Sequence, residues 1–386
     1  MGSRRTAQAR RRRPAHTPRT PQDVVQSHNP CQRLRGKTVM GSPGSRKHVR
    51  MAVALTLWTA LMLACGQVRL PVHPQPPGRE FLMIGHRGAP QQACENTLAS
   101  FETALQLGAN ALELDLSLTR DQQVVVWHDW RPSLTSVLRP TGVCRLRHPP
   151  QLQPIHDVPL DEALRDYGYE HNGHHVPLLT FTAFVHRVGP DARVRFVFLD
   201  LKNPAERPDL VSPLFQQAVQ TLQHAHALEK AVFLTPYAPI FAQLRHEAQR
   251  WQQATQTPVA IALDTEGPEL LQVRPWPSAV QRNQRAGTRF ALWGQPVATL
   301  QSWQAFVGAE LRRRDAVNAR RPPRAHLRFI VWTVNDGDDL CALVGAGVDG
   351  IMTDDPGRLH TIVQHWGQPG HCPERRSPPT RLAGGG

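Results

Sequence analysis

Four short clusters between Phe81 and Asp129 carry side chains able to do chemistry: His86-Arg87-Gly88, Glu95-Asn96-Thr97, Glu113-Leu114-Asp115 and His128-Asp129. Residues at i and i+2 of a strand project to one face, so Glu113 and Asp115 stand side by side. Two carboxylates that close repel unless a proton or a cation lies between them. A hard divalent cation, Ca²⁺ or Mg²⁺, takes oxygen ligands and suits such a pair. His86 and His128 each follow an apolar run, where a buried strand reaches its end, and an imidazole there can serve as general acid or base. Arg87 adds a planar fork of donors for a phosphate or a carboxylate. Further along, Asp200 and Lys202 share one face of the apolar run Val194 to Leu201. Each motif alone has an ordinary reading: a solvated strand face for Glu-x-Asp, a structural hydrogen bonder for a histidine after a strand. Their order within fifty residues favours chemistry, as does the apolar character of the rest of 111–116, because charges rarely lie in a buried run without a partner.

The elements that must hold these groups alternate. Strand-like runs begin near residues 82, 111, 195, 231, 259, 289, 328 and 350, with helical patterns between most of them. Eight such units predict a parallel (β/α)8 barrel, the TIM-barrel architecture. The run Val124 to Trp127 is an extra strand after the second, and 130–175 reads as an insertion over the mouth of the site with one helical piece, Leu160 to Asp166. Val176 to Thr180 is expected to start a helix. A doubly wound Rossmann-type sheet is the alternative, but no G-x-G-x-x-G follows the first strand. Barrels of this kind work at the C-terminal ends of their strands. His86, Glu113, Asp115, Asp200 and Lys202 all fall there.

The ordered set His86-Arg87-Gly88, Glu95-Asn96-Thr97, Glu113-Leu114-Asp115 and His128-Asp129 resembles the glycerophosphodiester phosphodiesterase family. Val331-Trp332-Thr333-Val334-Asn335 and the run Gly347 to Pro356 add to the likeness, which spans roughly residues 81–366. The resemblance implies metal-dependent hydrolysis of a small glycerophosphodiester to an alcohol and glycerol 3-phosphate, with His86 and His128 as the acid–base pair. It implies one divalent cation on Glu113, Asp115 and Asp200. The family usually has glutamate at the last position, so Asp200 is a departure. Arg87, Lys202 and Trp332 are the expected substrate contacts, Trp332 walling the glycerol pocket or lying in the core. Glu95 lies near the site or begins a helix. Two alternatives are a phospholipase D-like enzyme on intact lipids and an inactive phosphodiester-binding lipoprotein.

Charge is distributed unevenly. The first 50 of 386 residues hold 13 Lys and Arg and one acid, Asp23, which leaves the remaining 336 residues at +2 of the total +14. A nearly neutral body argues against a nucleic-acid partner. Residues 1–39 read as disordered or as an extension upstream of a true start at Met40. Residues 40–65 read as a lipoprotein signal: a basic stretch, the apolar run Met51 to Leu63, too short for a comfortable membrane span, then Leu63-Ala64-Cys65 with Cys65 as the lipidated residue. Residues 66–80 are a linker and 367–386 a disordered tail. This order places the body on the periplasmic side of a bacterial envelope, anchored to the membrane, or secreted. Six cysteines without a C-x-x-C pair argue against zinc and leave disulfides open.

Overall fold

The computed structural model describes residues 78, 80–130, 141–147, 153–202, 207–265, 277–294, 303–368 and 372. All of them fall in the second of two compact units, Gly66–Gly386. The expected N-terminal extension, the signal segment with Cys65 and most of the linker lie outside the described residues, as does nearly all of the expected tail. No described helix is long and apolar enough to cross a membrane.

Eight parallel strands close on themselves: β1 (Leu82–His86), β2 (Ala111–Leu118), β8 (Phe196–Leu201), β9 (Ala231–Thr235), β10 (Ala260–Thr265), β11 (Phe290–Gly294), β12 (Arg328–Trp332) and β13 (Gly350–Thr353). Pairing of β1 with both β13 and β2 completes the ring. The eight-stranded barrel expected from the sequence is therefore present, and the Rossmann alternative is excluded. Helices α1 (Leu98–Gln106), α3 (Phe181–Val188), α4 (Val211–His224), α5 (Ala238–Thr255), α6 (Ala279–Ala286), α7 (Trp303–Asn318) and α8 (Gly337–Ala346) connect successive strands, and α9 (Pro356–Gln364) follows the last.

Alternation along the strands separates two environments. Leu82, Ile84, Ala111, Phe198, Val232, Leu234, Ala262, Phe290, Leu292, Ile330 and Met352 fill the barrel interior. The residues between them pack outward against the helices in two larger clusters. One step beyond the apolar interior, the same inward face continues as His86, Glu113, Asp115, Asp200, Asp264 and Trp332. Polar groups thus take over the inward positions where the strands reach their C-terminal ends.

Between β2 and α3 the chain makes β3 (Val124–Val126), β4 (Arg145–Arg147), α2 (Leu160–Asp166), β5 (Gly168–His171), β6 (His174–Pro177) and β7 (Leu179–Thr180). β3 pairs antiparallel with the end of β2 and with β7, whereas β4, β5 and β6 form a separate small sheet. The helix expected from Val176 is a correction: Val176 and Pro177 end a strand, and α3 starts at Phe181 behind its cap Thr180. A residue before proline is pushed to extended backbone, which disfavours a helix there. The insertion has its own core of Trp127, Ile155, Val158, Ala163, Tyr167, Tyr169 and Leu178, closed by a Cys94–Cys144 disulfide. A second disulfide joins Cys341 to Cys372.

Candidate active site

Strand register builds the site. His86 is level with Glu113 across β1 and β2, and Asp115 is level with Asp200 across β2 and β8. Glu113 and Asp115 are 3% and 1% exposed. The oxygens of Glu113, Asp115 and Asp200 lie within 4.8 Å of one another, so the three carboxylates could hold one cation. Lys202, one step past β8, places its Nζ 3.1 Å from Asp115 Oδ1 and against Asp200 Oδ2.

The turn after β1 supplies the guanidinium. Arg87 has φ 54°, and its backbone N–H donates to Glu113 Oε2 at 3.0 Å. Its side chain lies between Asp115, with Nε 3.1 Å from Oδ2, and Glu95, with a 3.1 Å bond from its terminal nitrogen to Oε2. Gly88 follows with φ 92°, and a Cβ there would fall 2.4 Å from Ser100 Oγ, so only glycine lets α1 close on the turn. Asn96, also left-handed at φ 57°, donates from Nδ2 to Asp115 Oδ2 at 2.8 Å. Thr97 caps α1 by accepting from Ser100 N.

Burial, with the neighbouring charge of Asp115, pushes Glu113 well above the usual carboxylate range. Burial acts on Asp115 in the same sense, but Lys202 and Arg87 overcome it and hold that carboxyl well below its ordinary value. Were all four ionised, the carboxylates of Glu95, Glu113, Asp115 and Asp200 would exceed the charges of Arg87 and Lys202 by two, and the raised Glu113 reflects that crowding of negative charge. Asp200 Oδ1 is buried and has no hydrogen-bond partner among the described residues, whereas Asp115 Oδ1 is paired with the Lys202 ammonium. Both observations fit a divalent cation bound by oxygen ligands.

The two histidines differ in setting. His86 Nδ1 contacts Asp354 Oδ1 at 2.7 Å, and Nε2 faces Glu113 Oε2 at 3.9 Å. Asn335 Nδ2 donates to the other Asp354 oxygen at 2.6 Å. The His128 loop is fixed by the Trp127 N–H, which donates to Asp115 O at 2.9 Å, and by Ser117 Oγ on Trp127 O at 2.8 Å. His128 Nδ1 contacts Asp129 Oδ1 at 3.1 Å. Burial, then the charges of Arg87 and Lys202, lower the His128 pKa to about 4. Trp332 Nε1 donates to Asp264 Oδ1 at 2.8 Å, and the indole packs partly against the barrel interior.

The descriptive model of the glycerophosphoryl diester phosphodiesterase family matches residues 86–358. This chain belongs to that family. As a member it is a glycerophosphodiester phosphodiesterase, a phosphoric diester hydrolase. It is 25% identical over 289 residues to a glycerophosphodiester phosphodiesterase of Caldanaerobacter subterraneus subsp. tengcongensis, covering 74% of this chain and 99% of the relative. It is 38% identical over 112 residues to a lysophospholipase D of Homo sapiens, covering 26% of this chain and 32% of that protein. The fold is similar to that of an Oleispira antarctica phosphodiesterase solved in complex with the product sn-glycerol-3-phosphate, with a TM-score of 0.51, 19% identity and coverage of 73% and 96%.

The residues singled out in the phosphodiesterase sequence gather at one end of the barrel, with the exception of Cys65, which lies outside the described residues. Glu95, expected near the site or at a helix start, does the former: it is 2% exposed and paired with Arg87, and Thr97 caps the helix instead. Sequence reading gave no role to Asp354, Asn335, Asn96 or Asp264. Asp354 and Asn335 lie inside the motifs that carried the family likeness, but their partners are set by tertiary contacts 268 and 19 residues away in sequence.

Proposed function

We propose that the enzyme hydrolyses glycerophosphodiesters to an alcohol and glycerol 3-phosphate with a divalent cation, Ca²⁺ or Mg²⁺, on Glu113, Asp115 and Asp200. The observation that carries this reading is the cluster of three carboxylates, Glu113 and Asp115 buried and Asp200 partly so, with His86 level with Glu113 and Asp115 level with Asp200 by strand register. Bound there, the cation would offset the charge that builds on the non-bridging phosphate oxygens. Arg87 and Lys202 bring positive charge to the same place and orient the phosphodiester. The Asp354 carboxylate on Nδ1 favours the His86 tautomer that leaves Nε2 free, and that nitrogen takes the proton from the attacking hydroxyl or water. His128 returns a proton to the leaving alkoxide as the P–O bond breaks. Burial, with the charges of Arg87 and Lys202, keeps His128 neutral at pH 7; an anionic phosphodiester offsets those charges and favours its protonation. Trp332 walls the glycerol end, held by Asp264.

The test is Asp115→Ala, for which turnover of glycerophosphocholine should be lost while the far-UV circular dichroism spectrum is kept. Loss of the folded spectrum would make the cluster a structural element and remove this assignment.

Two disulfides belong to an oxidising compartment and support export through the N-terminal segment, with Cys65 lipidated and the body held at the membrane. A second reading, hydrolysis of a lysophospholipid, has one feature in its favour. A cleft of about 540 Å³ beside the Glu95 turn is lined by Ala93, Leu98, Val176, Pro177, Leu178 and Leu179, with room for an alkyl chain. Lysophosphatidylcholine turned over faster than glycerophosphocholine would favour that reading.

A further inference from the structure

The insertion between β3 and β7 touches the site through residues 142–144 and through β5. Cys144, next to β4, is bonded to Cys94, the residue immediately before Glu95 and Asn96. The Val143 N–H donates to Pro90 O at 3.0 Å. Gly142, at φ 72°, passes so close that a Cβ would fall 1.8 Å from Pro90 O. From β5, the Tyr169 hydroxyl points at Glu95 Oε1 across a long 3.5 Å contact, while its ring packs edge-on against Trp127 at 5.5 Å, the residue before His128. Tyr169 is 1% exposed. The insertion is thus fastened to the turn that bears Glu95 and packed against the loop that bears His128.

That turn needs fastening. Arg87 and Asn96 both lie in left-handed backbone and are joined by an Asn96 N–H to Arg87 O bond of 3.0 Å. Left-handed backbone on non-glycine residues persists where the surroundings over-determine it. Glu95 and Asn96 are also the groups that aim Arg87 and meet Asp115.

We infer that the insertion completes the active site: Cys144, through its disulfide, and Tyr169, through Glu95, are positioning residues that hold the Arg87 guanidinium in the orientation that receives the phosphate. The inference rests on the proposed role of Arg87. Neither residue touches the reacting atoms. Their effect is on phosphate recognition, so it should fall on KM and on product affinity more than on kcat. Reduction of the Cys94–Cys144 bond should have the same consequence as removing Cys144, whereas the Cys341–Cys372 bond, which ties α8 to the chain end, should have none.

The experiment measures sn-glycerol 3-phosphate affinity by calorimetry, and kcat and KM on glycerophosphocholine, for full-length wild type, Arg87→Ala, Tyr169→Phe, Cys144→Ser and the double variant Cys341→Ser/Cys372→Ser. Tyr169→Phe removes one oxygen and keeps the ring against Trp127, so it is informative even where Cys144→Ser folds poorly. The expected result is a loss of about three- to tenfold in product affinity, with a matching rise in KM, for Tyr169→Phe and Cys144→Ser, the scale of one ordinary hydrogen bond. Arg87→Ala should lose more and the double variant nothing. Wild-type affinity in Tyr169→Phe, with Arg87→Ala impaired, overturns the positioning role alone. Wild-type affinity in Arg87→Ala overturns the reading of Arg87 and the positioning role with it. A fall in kcat at unchanged KM and affinity also overturns it.

Discussion

His86 and His128 share a site but not an environment, and their difference is testable residue by residue. Replacing either by alanine should lower kcat by roughly 10²–10⁴, the usual contribution of general acid–base catalysis. A nitrophenyl diester leaves without help from a proton. His128→Ala should therefore be nearly harmless on that substrate, and His86→Ala costly on both; the reverse pattern would exchange the roles. The electrostatics give a second test. Because the His128 pKa is lowered to about 4 in the folded chain and lies near 6.5 in the unfolded chain, the unfolded state binds the extra proton between those values. Its contribution to stability is present above about 6.5 and is lost as pH falls towards 4. An NMR titration of the imidazole should find that low midpoint and should move it upward on addition of glycerol 3-phosphate. A midpoint near 6.5 without ligand would contradict the picture of an imidazole buried beside Arg87 and Lys202.

At the scale of elements, the β1–β2–β8 register does most of the positioning. Asp115 and Asp200 meet because β2 and β8 are parallel neighbours in step. Asp200→Asn keeps the shape and removes one charge, so it should weaken cation binding measured by calorimetry while leaving the melting temperature within a few degrees of wild type. An unchanged affinity would take Asp200 out of the ligand set. Thr97→Ala should cost about 1 kcal/mol in urea unfolding, the usual effect of losing an N-cap. The eight barrel strands were legible because each is a short apolar run, most of them separated by helical patterns; α6, between the strands near 259 and 289, was not read. The strands of the insertion were not, since Gly168–His171 and His174–Pro177 carry no apolar alternation. One signal was there to be read: Asn172-Gly173 joins β5 to β6 with both residues at positive φ, the two-residue hairpin turn that an Asn-Gly pair favours. The site residues found in the sequence were those whose spacing along one strand brings them together. Asp354 on His86 and Tyr169 on Glu95 depend on ring closure and on the insertion, which no local pattern encodes.

For the whole molecule, the barrel gathers carboxylates, cationic side chains and two imidazoles at one end, which is where the proposed reading puts the phosphodiester. The N-terminal sequence bears on where that face works. Mass spectrometry of the native protein is expected to find a diacylglyceryl-modified Cys65 as the first residue. A mature chain that still begins near residue 1, or remains in the cytoplasm, would contradict the anchor. The central claim is that this barrel is a cation-dependent glycerophosphodiester hydrolase, and it is tested most directly by choline or glycerol 3-phosphate release from glycerophosphocholine, with and without a chelator. Release by the untreated enzyme, its loss on chelation and its return with added Ca²⁺ or Mg²⁺ is the expected result. Undiminished release in the presence of chelator, or no release under any divalent cation, would contradict it.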